Sequence, residues 1–170
     1  MADCEESFEV IDSSGTVIGT VPRSALHGNP ALLHRVVHVL LFNQQGRLLL
    51  QKRSASKDTA PGMWDTSVGG HVNIGEDIHA AALREMKEEL GIRGTDIRYL
   101  YQYRFTDQRE SELVSTFCYT YEGTIAFDTR EIDEVRYWAV QDIEDLLGSG
   151  IFSRHFEEEM SRYLRHINTP

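Results

Sequence analysis

Three glutamates fall at helical spacing in the middle of the sequence. Glu85, Glu88 and Glu89 are three and four positions apart, so a helix would place their carboxylates on one face. Like charges at this spacing repel one another and destabilise a helix unless a cation neutralises them. Mg²⁺ commonly combines one or two protein carboxylates with phosphate oxygens of a substrate. The pattern therefore indicates either a magnesium-dependent phosphate site or, as glutamate clusters more often do, a solvated acidic face.

The glutamates belong to a longer pattern that begins at Gly70. Five residues separate Gly70 from Glu76, and seven more precede Arg84-Glu85-Met86-Lys87-Glu88-Glu89-Leu90-Gly91-Ile92. This string matches the Nudix box in full: Gly, five residues, Glu, seven residues, Arg-Glu, an aliphatic residue, any residue, Glu-Glu, any residue, Gly and an aliphatic residue. The sequence therefore resembles the Nudix hydrolase superfamily.

The resemblance implies an α/β fold of the Nudix type, an α/β/α sandwich with a mixed β-sheet flanked by helices. It also implies cleavage of a diphosphate linked to another moiety, with Mg²⁺ or Mn²⁺ as cofactor. By position, the catalytic metal ligands would be Glu85, Glu88 and Glu89. One of them would help to activate water, and the spacing leaves open which one. Arg84 would form an orienting ion pair with Glu76, and Gly70 would provide backbone geometry at the cofactor-binding loop.

Further segments resemble one branch of the superfamily, the isopentenyl-diphosphate isomerases and their hydrolase relatives. They lie between about Phe8 and Trp138 and include 33–35, 51–57, 61–64 and 103–107. In the isomerases the positions that match Arg53 and Lys57 contact the diphosphate, and two cations beside the metal helix suit that task. The alternative is that Arg53 and Lys57 are ordinary solvated loop charges.

The isomerases also hold a metal with histidines and glutamates. The matching positions here are His27, His34, His71, Glu110 and Glu112, of which His27 is the least securely aligned. Glu110 and Glu112 are two apart, so they would face the same side of a strand. Imidazoles with carboxylates suit Mn²⁺, Zn²⁺ or Fe²⁺ better than Mg²⁺. The resemblance thus implies a second metal site, although each residue alone is more typical of a surface or core group.

One position departs from the isomerases. They carry an essential cysteine two residues before the histidine that matches His71, and the residue here is Gly69. Without that thiol, the proton transfers of allylic isomerisation lose a key acid–base group. The true isomerases also break the Nudix box, which is complete here.

These two differences favour a divalent-metal-dependent diphosphohydrolase. Its substrate would be a nucleoside diphosphate derivative or another small diphosphate. One alternative is an isopentenyl-diphosphate isomerase that uses another acid–base pair. The other is a non-catalytic Nudix module that binds a ligand or a partner.

The elements that would position these residues alternate between strands and helices. We predict a hairpin over 8–11 and 16–21, further strands over 34–42, 47–52, 96–106, 112–121 and 135–140, and helices over 77–90, 141–147 and 152–167. The segments 24–31 and 54–62 are expected to be loops. Trp64, Tyr103 and Phe105 are candidates to line a pocket, but core positions are more typical of such aromatics. A mixed sheet flanked by helices, in a single domain over 1–170, accounts best for this order.

The composition limits the range of functions. The 170 residues carry a formal net charge of −10, which disfavours nucleic acid as a partner but not a small anionic diphosphate that arrives with a metal ion. No apolar window is long enough for a membrane span. Cys4 and Cys118 are isolated and fit no metal or redox motif, so we expect a cytoplasmic protein. Family members are often dimers, which makes a homodimer possible.

Overall fold

The computed structural model of the protein describes residues 5–169, so Cys4 lies outside the described residues. The strands are β1 (Ser7–Ile11), β2 (Val17–Pro22), β3 (Leu33–Phe42), β4 (Leu48–Arg53), β5 (Trp64–Asp65), β6 (Val68–His71), β7 (Arg98–Thr106), β8 (Ser111–Thr120) and β9 (Ile132–Trp138). The helices are α1 (Arg23–Leu26), α2 (Ile78–Leu90), α3 (Val140–Leu146) and α4 (Arg154–Asn168).

β3 is the central strand of a mixed sheet, which has nine strands in the described part of the chain. It pairs antiparallel with β1, β4 and β6, and parallel with β8 over ten residues. β2, β5, β7 and β9 extend the sheet through β1, β4 and β8. Because side chains alternate along a strand, His34, Val36 and His38 of β3 face one side of the sheet, and Val37 and Val39 face the other.

Helices cover both faces of this sheet. On one face, Met86 and Leu90 of α2 pack with Val37 and Val39 of β3. On the other face, α3 and α4 close a second apolar cluster, in which Phe156 contributes from α4. The predicted α/β/α sandwich with a mixed sheet is therefore confirmed. None of the helices within residues 5–169 is long and apolar enough to cross a membrane.

The observed elements follow the predicted order with a few local differences. The hairpin is formed by β1 and β2. α2 ends at Leu90, and its C-cap is Gly91, whose φ of 67° is the left-handed conformation typical of a glycine C-cap. The prediction of a plain connector over 24–31 was wrong at its start, where α1 forms one short turn. The sequence pattern also missed β5 and β6, since the first has two residues and the second contains two adjacent glycines. Trp64, Tyr103 and Phe105 are buried in the core, as expected.

Candidate active site

The predicted acidic face is formed on α2. Asp77 caps the helix by accepting hydrogen bonds from two backbone N–H groups of the first turn. The apolar side of the helix packs into the core, and the other side carries Glu85, Glu88 and Glu89. All three glutamates line one cavity. They are not equivalent, however. The side chain of Glu88 is 57% exposed at the rim, whereas that of Glu85 is 13% exposed.

Arg84 connects several parts of this face. Its Nε and Nη2 donate to the two carboxylate oxygens of Glu76, each at 2.9 Å, and Nη2 also donates to the backbone carbonyl of His71 at 2.9 Å. Nη1 donates to Glu85 at 2.6 Å and to Glu88 at 3.2 Å. The hydrogen bonds from Arg84 hold the pKa of Glu76 below its ordinary value. The observed geometry is that of an orienting ion pair between Arg84 and Glu76, with Glu85 held in place by the same guanidinium.

Gly70 lies on β6 where the strand passes the side chain of Glu85. A Cβ at position 70 would overlap the Glu85 carboxyl group. The glycine is therefore required by close approach, since only a residue without a side chain leaves room for the carboxylate that Arg84 holds.

Glu89 is the most enclosed of the three carboxylates. It accepts hydrogen bonds from Gln51 Nε2 at 2.9 Å and from the backbone N–H of Gly69 at 3.3 Å. Burial, and after it the charge of Glu85, raises the pKa of Glu89 to about 8, and burial also raises the pKa of Glu85. Two enclosed carboxylates that resist ionisation fit a site completed by a divalent cation, which would favour their charged forms.

The cavity has a volume of about 390 Å³ and is open to Arg53 and Lys57, which lie on β4 and the loop after it. Arg53 donates through Nε to the backbone carbonyl of Thr59 at 2.8 Å. Lys57 forms an ion pair with Glu131. Both predicted cations thus border the cavity, and Glu131, a loop carboxylate, borders it with them. Their contact with a diphosphate stays a prediction.

A second group of side chains gathers on the face of the sheet that α4 covers. Single ligand atoms of His34, Glu110 and Glu112 lie within 4.8 Å of one another, a spacing that could hold a metal ion. His27 Nδ1 is 3.2 Å from a Glu110 oxygen. The ring of His71 stacks on that of His34 with centroids 5.2 Å apart. The fold therefore brings together all five residues that the resemblance indicated.

Some atoms in this second group lack partners. Within residues 5–169, the ring atoms His34 Nε2 and His71 Nε2 are buried without a hydrogen bond. Burial, and then His34, lowers the pKa of His71 to about 3, so its ring is neutral and retains a lone pair. Burial, and then Glu112, raises the pKa of Glu110 to about 7. Buried polar groups normally have partners, so these donor atoms fit a metal of the type that binds imidazole and carboxylate together.

Sequence reasoning missed one member of this group, His155 on α4. Its Nε2 lies 3.5 Å from Glu110 Oε1 and 3.2 Å from Glu112 Oε2. Burial opposes charge on both partners, yet their pairing raises the pKa of His155 to about 9 and lowers that of Glu112 to about 2. The sequence feature that could have helped is Ser153, a residue type typical of helix N-caps. Its hydroxyl accepts a hydrogen bond from the backbone N–H of Phe156 and donates one to Asp65, so α4 begins beside β5. A cap of this kind predicts where α4 begins, but it does not predict which strand α4 packs against or that His155 meets Glu110 and Glu112.

The NUDIX domain family model matches residues 32–159, a range that includes α2, Arg53, Lys57 and His155. The chain belongs to the Nudix family.

Curated Nudix relatives carry two kinds of name. The isopentenyl-diphosphate Delta-isomerase of Streptomyces avermitilis is 34% identical over 156 residues, which cover 88% of this chain and 79% of that protein. An uncharacterized Nudix hydrolase of Pseudomonas aeruginosa is 33% identical over 127 residues, covering 75% of each chain. Among solved structures, DR0079 from Deinococcus radiodurans is similar with a TM-score of 0.79 at 25% identity, covering 92% of this chain and 98% of that one. Membership of the family is consistent with diphosphate hydrolysis, while the isomerase names point to a second reaction.

If the protein cleaves a diphosphate, replacing Gly70 by alanine is expected to lower that turnover about 10²-fold while leaving the fold intact. The new methyl group would displace the Glu85 carboxylate from the position in which Arg84 holds it, and small displacements of catalytic groups are costly. Because the overlapping atoms are at the end of the flexible Glu85 side chain, that side chain can move and the main chain can stay in place. Steady-state kinetics and thermal melting test this. Gly19→Ala is the matched control, since nothing lies within 4 Å of a Cβ there. Unchanged kcat/KM in Gly70→Ala would contradict the prediction.

Proposed function

We propose that this protein is a divalent-metal-dependent Nudix diphosphohydrolase, folded as one domain. It acts on a nucleoside diphosphate derivative or another small diphosphate. One observation carries the proposal: Glu85, Glu88 and Glu89 line a single cavity together with the cations Arg53 and Lys57.

The chemistry of these side chains suits the reaction. Arg53 and Lys57 neutralise the diphosphate and orient it toward α2. A glutamate of α2 accepts a proton from the attacking water. The water oxygen forms a bond to phosphorus as the bridging P–O bond breaks, and the leaving group departs with its phosphate. Arg84 acts as a positioning residue because its donors are directed to Glu76, Glu85 and Glu88. Bound Mg²⁺ or Mn²⁺ would neutralise phosphate oxygens and lower the pKa of water.

Isomerisation of isopentenyl diphosphate is the second candidate. It is favoured by the 34% identity to the Streptomyces isomerase and by the gathering of His34, His71, Glu110 and Glu112. Against it stands Gly69, because the isomerases place their essential cysteine at the matching position. A second metal held by the histidine and glutamate group is compatible with either reaction.

A panel of diphosphates distinguishes the two reactions. The purified protein is incubated with Mg²⁺ or Mn²⁺ and ADP-ribose, a nucleoside diphosphate or isopentenyl diphosphate. We expect release of phosphate or of monophosphate products from at least one nucleoside compound, and none after chelation of the metal. Proton NMR monitors interconversion of the two five-carbon diphosphates. Interconversion without hydrolysis of any compound would overturn the proposal.

A further inference from the structure

His155 reaches the second group of side chains from another layer of the fold. It belongs to the first turn of α4, whereas the carboxylates that it meets lie at the start of β8. Ser153 ties this turn to β5, because its backbone N–H donates to the carbonyl of Trp64 at 2.9 Å. The imidazole packs on the ring of Phe105 with centroids 4.1 Å apart, and 19% of the side chain is exposed. The position of the ring is therefore fixed by its own surroundings and not by the carboxylates alone.

Each of the two carboxylates faces His155 with one oxygen and a different histidine with the other. Glu112 Oε2 is 3.2 Å from His155 Nε2, and Glu112 Oε1 is 3.8 Å from His34 Nε2. Glu110 Oε1 is 3.5 Å from His155 Nε2, and Glu110 Oε2 is 3.2 Å from His27 Nδ1. Among the basic side chains of residues 5–169, only His155 lies within 4.0 Å of both carboxylates.

This arrangement gives His155 a different role from that of the other histidines. An ionised carboxylate accepts hydrogen bonds and donates none, so the nitrogen beside Glu112 carries a hydrogen in both the neutral and the charged form of the ring. That hydrogen takes up the electron pair with which Nε2 of His155 would otherwise bind a metal. In the described part of the chain, by contrast, His34 Nε2 and His71 Nε2 are buried with no hydrogen-bond partner. The geometry therefore places His155 behind the carboxylates and not among the metal ligands.

Glu110 and Glu112 need such a partner if they are to share one cation. They are two residues apart on one side of a strand, so their charges repel one another when no metal is bound. Carboxylates that bind a metal are usually held by a further hydrogen-bonding group, which fixes the direction of their oxygens. A single imidazole that contacts one oxygen of each carboxylate can do this for both at once.

We propose that His155 is a positioning residue of a metal centre formed by His34, Glu110 and Glu112. From α4 it holds one oxygen of each carboxylate, so that the other oxygen stays turned toward the histidines on the far side. α4 is then part of the metal centre although none of its side chains binds the ion. The inference goes beyond the proposed function and does not depend on it, because such a centre is compatible with hydrolysis and with isomerisation.

The test replaces His155 by two amides of different length. Glutamine can place its Nε2 donor near the position of the imidazole Nε2, whereas asparagine is too short to reach both carboxylates. Mn²⁺ is titrated into each metal-free protein, and binding is followed by EPR. Nitrogen hyperfine couplings in pulsed EPR identify the Mn²⁺ that imidazole binds and separate it from Mn²⁺ on the glutamates of α2. We expect His155→Asn to weaken the nitrogen-coordinated site about 10- to 100-fold and His155→Gln to stay within about three-fold of the wild type.

Two further proteins complete the experiment. His166→Asn on the same helix is the matched control, since this residue is exposed and is not among those that line the cavity, and it should leave Mn²⁺ binding unchanged. Thermal melting of the metal-free proteins tests whether they fold. If His155→Asn does not fold, His155→Phe takes its place with the same expected loss of affinity, because a phenyl ring keeps the packing on Phe105.

The outcomes are decisive in both directions. Weaker binding in His155→Asn, with affinity retained in His155→Gln and the nitrogen couplings unchanged at saturating Mn²⁺, supports the inference. Four results would overturn it: unchanged or tighter binding in His155→Asn, equal weakening in both amides, fewer nitrogen couplings at saturation, or no such couplings in the wild-type protein. The measurement uses no substrate, so a failure to hydrolyse any diphosphate would count against the proposed function alone.

Discussion

Replacing Glu89 by glutamine is expected to reduce diphosphate hydrolysis by about 10²- to 10⁴-fold. The change removes a negative oxygen from the most enclosed carboxylate of α2 and weakens the site for a divalent cation. It also removes a candidate acceptor for the proton of water. The kcat/KM of the purified variant is measured on whichever compound the wild-type protein hydrolyses. Activity equal to that of the wild type would contradict both the role of Glu89 and the proposed reaction.

Loss of folding would not explain such a result. Burial raises the pKa of Glu89 to about 8, so near neutral pH and without metal the side chain is largely protonated. Glutamine resembles that neutral form and can still contact Gln51. We therefore expect the free energy of unfolding without metal to be unchanged or slightly increased. Lys87→Gln, which alters an exposed residue of the same helix, is the matched control and should retain activity.

Replacing Glu159 by alanine is expected to reduce the free energy of unfolding by about 3–5 kcal/mol near neutral pH. The substitution leaves the buried donors His38, Tyr103 and Thr116 and the partly buried donor Tyr101 without their acceptor, and it opens a cavity beneath α4. Urea denaturation measures the loss. The control is Glu158→Ala on the same helix, which breaks only a partly exposed ion pair with Arg162 and should cost less than about 1 kcal/mol. A loss in Glu159→Ala no larger than in this control would contradict the prediction.

The loss of unfolding free energy in Glu159→Ala should also depend on pH. Burial alone would raise the pKa of Glu159. The hydrogen bond and charge of His38, together with the hydrogen bonds from Tyr101 and Tyr103, outweigh burial and hold this pKa below its ordinary value. The native state therefore binds fewer protons than the unfolded state in the range between the two pKa values. The stabilisation is complete above an unfolded pKa of about 4.5 and disappears as the pH falls through the native value. The difference in unfolding free energy between the wild type and Glu159→Ala should therefore become smaller in acid.

Much of the carboxylate site could be predicted because its information is local. The spacing of Glu85, Glu88 and Glu89 and the glycine at position 91 depend only on the geometry of one helix. What the spacing could not show is that Glu88 stands at the rim while Glu89 is enclosed, because that difference depends on how α2 lies against β6. The ion pair of Lys57 with Glu131 was equally inaccessible, since 74 residues separate its members in sequence.

The contributions of α4 were the least predictable. The apolar spacing of the C-terminal segment indicated a helix and which of its residues face the sheet. It did not indicate that His155 meets Glu110 and Glu112, or that Glu159 meets His38, because charged residues on an amphipathic helix are ordinarily solvated. These pairings arise from the position of α4 on the sheet, which Ser153 and Asp65 help to fix.

The close approach of His38 to position 69 has a consequence for how this sequence can evolve. A side chain at position 69 would press on the imidazole ring, and moving the ring would disturb its 2.6 Å hydrogen bond to Glu159. A side chain at position 69 would therefore be accommodated more easily together with a smaller residue at position 38. The two positions are 31 residues apart in the chain but are paired across β3 and β6, so we expect substitutions at one to depend on the residue at the other.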